Sequence, residues 1–80
     1  MPTVLRIGGF AFSFYSADHD PPHVHVRYGG TLCRIDLSTL LMKNISMKTS
    51  DAARALRLTV EHHEELLAAW SAHFLKASGQ

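Results

Sequence analysis

Two Gly-Gly pairs, Gly8-Gly9 and Gly29-Gly30, each separate two short runs in which residues alternate in polarity or size. Glycine accepts positive φ at little steric cost, and a two-residue loop of this kind closes a β-hairpin. The runs are 3–7 and 10–15 around the first pair, and 23–28 and 31–37 around the second. Alternation with period two predicts strands that are buried on one side. Phe10, Phe12 and Phe14 then share a face, as do Val24, Val26 and Tyr28, and Cys33, Ile35 and Leu37. The opposite face carries Ser13, Tyr15, His23, His25, Arg27, Arg34 and Asp36, with Arg6 the first-strand residue best placed to join them.

The second half of the chain changes period. Residues 52–76 contain neither Gly nor Pro and are dominated by helix formers. At about 100° per residue, Leu56, Val60, Leu67, Trp70 and Phe74 form one stripe, with Arg54, Arg57, Glu61, Glu64 and Glu65 opposite. Thr49 and Ser50 are the expected N-caps, and Asp51 suits the positive end of the helix dipole. Residues 40–48, inside a connector spanning 38–50, read as a short irregular or helical segment, with a short strand as the alternative. The expected fold is α+β in one domain, 1–80: a four-stranded antiparallel meander over 1–37, packed through its Phe face on one long C-terminal helix over 51–76.

Composition narrows the function classes. The chain has 80 residues and a formal net charge of +1, so overall charge does not by itself mark a nucleic-acid or membrane binder. A domain this small has thin stability, and homodimerisation would add to it. With one cysteine, Cys33, neither an internal disulfide nor a cysteine-based zinc site can form. Cys33 faces inward and is expected to be an inert thiol. No apolar run approaches the roughly 20 residues that span a bilayer, and 1–6 lacks the pattern of a signal peptide. A cytoplasmic protein with no membrane contact is expected.

Three readings of the polar face compete. It is an ordinary wet sheet face, bare or covered by a protein partner or a second copy. Alternatively it holds phosphate or RNA: Arg27 and Arg34 suit bidentate contact, and His23 and His25, assisted by Tyr15, are candidate general acid and base of a metal-independent ribonuclease. Or it holds a metal: Asp18, His19, Asp20, His23 and His25 are five potential ligands within eight residues, with His23, His25 and Asp20 the set to test. A lone His-x-His pair is common by chance, so no metal is favoured and no cofactor is called for. On the helix, His63 falls within the apolar stripe and is expected to be a hydrogen-bonded core histidine. His62 and His73 are eleven residues apart, about 16 Å along a helix axis, and cannot share an ion.

The opening 1–9, Phe12-Ser13-Phe14-Tyr15-Ser16, Pro21-Pro22-His23-Val24-His25-Val26 and Glu64-Glu65-Leu66-Leu67-Ala68-Ala69-Trp70 together resemble a small bacterial family, domain-of-unknown-function family 4160. The resemblance brings no established biochemical activity with it. It implies a place in toxin–antitoxin-type gene pairs and on mobile elements and phages, with His23 and His25 as signature histidines. The chain departs from the family pattern in its Leu- and Met-rich 40–48 segment, in His19 and in His63. The expected function is a small binding protein of a toxin–antitoxin-like or mobile-element system, touching a cognate toxin, antitoxin or host defence complex through Tyr15, His23, His25, Arg27, Arg34 and Asp36. The alternatives are a phage-encoded anti-CRISPR inhibitor that blocks nucleic-acid binding by its target, and a ribonuclease toxin using His23, His25 and Arg27, with RNA or DNA contact.

Overall fold

Both Gly-Gly pairs turn the chain as expected. Gly8 and Gly9 have φ of 53° and 87°, and Gly29 and Gly30 have 55° and 81°. Two consecutive positive values make a type I′ turn, whose twist matches that of the flanking strands. The computed structural model describes residues 3–15 and 21–78, with side chains as far as His73. The elements in chain order are β1 (Thr3–Ile7), β2 (Phe10–Ser13), β3 (His23–Tyr28), β4 (Thr31–Asp36), β5 (Met42–Asn44), α1 (Thr49–Glu61) and α2 (His63–Ser78). The strands form one antiparallel sheet in sequence order. The architecture is α+β.

The sheet has five strands, one more than the alternation predicts. The fifth arises from side-chain hydrogen bonds in the connector. Asp36 Oδ1 accepts the backbone N–H groups of Ser38 at 2.7 Å and Thr39 at 3.0 Å, which turns the chain back after β4. The Asp36 N–H then donates to the Leu41 carbonyl at 2.9 Å and starts the new ladder. Beyond β5, Asn44 donates to the Met47 carbonyl and accepts the Met47 N–H, both at 2.9 Å. Ser46 accepts the Leu32 N–H at 2.9 Å. These bonds decide the connector in favour of the short-strand alternative, at the edge of the sheet.

The Phe face is the core, as expected. Phe10, Phe12, Phe14, Val24, Val26, Cys33, Ile35 and Leu37 are all fully buried. Tyr28 is half-buried and stacks on Phe10, with ring centroids 4.2 Å apart. The Arg54 guanidinium lies 5.0 Å from the Phe10 ring centre and 5.5 Å from that of Tyr28, so Arg54 turns toward the sheet instead of away from it.

The helical half departs from the single rod in two ways. First, it breaks at His62 into α1 and α2. Neither Pro nor Gly is present there. One turn earlier, the Thr59 hydroxyl donates to the Ala55 carbonyl at 2.8 Å, a back-bond that bends helices. Just after the break, the His63 Nε2–H donates to the Leu37 carbonyl and ties the helix to the end of β4. Second, the buried stripe is rotated. Ala52, Ala55, Thr59, Leu66 and Trp70 face the sheet, while Val60 is 50% exposed. Leu56 and Leu67 are only half-buried, and the Phe74 side chain lies outside the described residues. The small side chains of α1 allow close approach to rings that fill the space beneath it. The N-cap is Lys48, without a side-chain cap bond, and Thr49 and Ser50 begin the helix.

The two hairpins differ in tolerance. A Cβ at Gly30 meets nothing within 4 Å, whereas one at Gly9 meets Tyr28 Cε1 at 3.1 Å. Gly30→Ala is expected to cost about 1–2 kcal/mol from positive φ alone. Gly9→Ala should cost measurably more, because the Tyr28 ring must also shift within its stack on Phe10. Urea denaturation of the two variants checks the order.

Candidate functional site

The strand register assembles the open face of the sheet in rungs. One rung runs Arg6, Ala11, Arg27, Leu32 across β1 to β4. The next runs Ser13, His25, Arg34, Lys43 across β2 to β5, with Thr3 paired to Ser13 at its β1 end. Residues directly opposite in an antiparallel pair share a face. A register shift between Thr3 and Leu5 keeps Thr3 and Arg6 on this side despite their odd spacing. The face therefore presents four cations, Arg6, Arg27, Arg34 and Lys43, all exposed. Among the described residues none of them lies within salt-bridge distance of a carboxylate.

Lys43 was not legible as part of this surface, because it enters only through β5. Its signal was the alternation of Met42 and Lys43 across from Ile35 and Arg34, two residues too short to stand out. Arg34 and Lys43, with Asp36, Leu41 and Met42, line a shallow depression of about 210 Å³. A second, smaller recess is lined by Ser13, Tyr15, His25, Arg27 and Leu32.

His23 and His25 do not share an environment. His23 is not on the open face: it is 4% exposed, and its ring lies 5.3 Å from that of Trp70 on α2. Strand phase alone puts His23 beside His25, but His23 is the first residue of β3, where α2 closes over the end of the sheet. Its Nδ1–H donates to the Pro21 carbonyl at 3.0 Å. His25 does lie on the open side, yet the Tyr15 ring stacks parallel on it at 3.7 Å and both imidazole nitrogens are shielded from solvent. The His23 and His25 rings meet edge to face at 5.3 Å. A chain of rings thus runs from Trp70 through His23 and His25 to Tyr15, leading from the core to the edge of the polar face.

Asp36 serves the fold. Its carboxylate is the acceptor of the β4–β5 turn, and the Thr39 backbone N–H, joined by that of Ser38, holds it below the ordinary carboxyl value of 3.8. Burial pushes the Cys33 thiol up to about 11, so it carries no thiolate at neutral pH. Asp18, His19 and Asp20 lie outside the described residues. Among the described residues no group of three or more His, Cys, Asp or Glu side chains is placed to hold a metal ion. No helix among them is long and apolar enough to cross a membrane.

Comparison with known proteins gives one match. The family model described as Domain of unknown function (DUF4160) matches residues 9–71, from the first hairpin turn to the middle of α2. No curated protein and no solved structure matches the chain.

Two measurements check these assignments. Because the Asp36 pKa is depressed in the fold, its contribution is complete above about 3.8 and is lost as the pH falls through the lower folded value. Asp36→Ala should cost about 1–2 kcal/mol near neutral pH, and the gap from the parent should narrow in strong acid. Chemical denaturation across that range reads it. Cys33 should react with a thiol reagent such as DTNB only at the rate of unfolding, and immediately in denaturant.

Proposed function

The chain belongs to the DUF4160 family, and we propose from its geometry that it is a non-catalytic binding module whose working surface is the cationic open face of the sheet. The observation that carries this reading is the condition of the two histidines. A metal-independent ribonuclease needs imidazoles that reach a scissile phosphate and exchange protons with it. His23 is buried against Trp70, and the ring nitrogens of His25 are shielded beside Tyr15. What the face does offer is fixed positive charge at Arg6, Arg27, Arg34 and Lys43.

Contact without chemistry is what a component of a toxin–antitoxin-like or mobile-element system needs to hold its cognate partner. A phage-borne inhibitor that occludes a CRISPR effector needs the same. Both roles are served by a rigid sheet face, and neither calls for a nucleophile. His23 and His25 then act as packing residues that fix the end of β3 and the placement of Tyr15.

The test is incubation of the purified protein with end-labelled RNA, without added metal and with EDTA. The RNA should stay full length, and His25→Ala should behave as the parent does. Cleavage products that vanish in His25→Ala would overturn the reading and restore the ribonuclease alternative.

A further inference from the structure

We infer that the open face binds the phosphate backbone of a single-stranded nucleic acid along a diagonal from Arg6 to Lys43. This rests on the reading of the face as a binding surface and names its partner. Adjacent strands lie about 4.8 Å apart, so Arg6 and Arg27, two strands apart on one rung, sit roughly 10 Å from each other. Arg34 lies one strand and one rung further, on the order of 8 Å from Arg27, and Lys43 is directly opposite Arg34. The four cations therefore step in one direction across the whole sheet, from one edge strand to the other. Among the described residues no carboxylate lies within salt-bridge distance of any of the four.

Charge distribution gives this face the means to hold a polyanion. The formal +1 of the chain conceals a division between layers. On the helices, Asp51, Glu61, Glu64 and Glu65 offset Arg54 and Arg57, and Asp51 pairs with Arg54 at 3.6 Å. On the open face the one described carboxylate is Asp36, already engaged by Ser38 and Thr39. Protein–protein interfaces also enrich arginine, but the core of one is depleted of charge as a whole. Here Arg27, His25 and Arg34 occupy the centre, the composition of a nucleic-acid interface.

A single strand fits better than a duplex. The face is a sheet without a protruding helix or ribbon to enter a groove. Beside Arg27 stands the half-buried Tyr15 ring, stacked on His25. A cationic track beside an aromatic ring is a combination found where proteins hold single strands.

The experiment is fluorescence anisotropy with a labelled mixed-sequence DNA oligonucleotide of about a dozen nucleotides, titrated with the full chain at several salt concentrations. Three to four phosphate contacts on a single strand predict a slope of log K against log salt of about −2 to −3. Arg27→Gln with Arg34→Gln should weaken binding roughly tenfold or more and flatten the slope by about 1.4. Arg57→Gln, exposed on α1, should change neither quantity, and circular dichroism should show all variants folded. A slope near zero, equal affinity in the Arg27/Arg34 variant, a duplex bound as tightly as the single strand, or polyglutamate of equal charge bound as tightly would each overturn the inference. An oligonucleotide left intact but unbound defeats this inference alone. A labelled RNA that is cut in a His25-dependent way defeats the non-catalytic reading instead.

Discussion

The contact of Trp70 with Phe14 and His23 decides more of this molecule than any other. Phe14 meets the indole edge to face at 5.2 Å, and His23 lies against it at 5.3 Å. Phe14 follows β2 and His23 begins β3, so one side chain of α2 packs on the ends of both strands. Aromatic pairs in such geometry add to the gain from burial alone. Placing Trp70 there also removes His23 from the polar surface, and with it half of the histidine pair that the sequence offers as chemistry.

The same contact explains why the site is a surface and not a cleft. With His23 drawn under α2, His25 is left between it and Tyr15, in a row of rings. Stacked rings hold their neighbours in one rotamer and exclude water from the nitrogens between them. The exposed charged groups on that side are guanidinium and ammonium. Arginine in particular keeps its charge at every physiological pH and presents a fixed fork of donors. On the reading proposed above, the face holds an anion and does not move a proton.

Much of this was legible from residues. Gly8-Gly9 and Gly29-Gly30 mark their turns because positive φ is a local demand that few other residues meet. Phe10, Phe12 and Phe14 mark the core face because side-chain direction in a strand follows from chain geometry alone. His63 reads correctly as a hydrogen-bonded histidine, since a polar ring within an apolar stripe must find a partner. The helix stripe is legible only in outline. Val60 belongs to it by period, yet the bend after Thr59 and the small side chains Ala52 and Ala55 rotate the buried face away from it.

Period and turn chemistry, which act over two to four residues, are enough to specify the meander, its core face and the polar identity of the other face. They establish that Arg27, Arg34 and His25 stand together, because neighbouring strands joined by tight turns leave one register. Tertiary structure alone decides which of those groups solvent can reach. His23 is buried by a tryptophan 47 residues later in the chain. Lys43 joins the cationic line through a strand of three residues that exists only because Asp36, Asn44 and Ser46 bond the backbone around it. Such contacts depend on where distant segments cross, and no local pattern encodes a crossing.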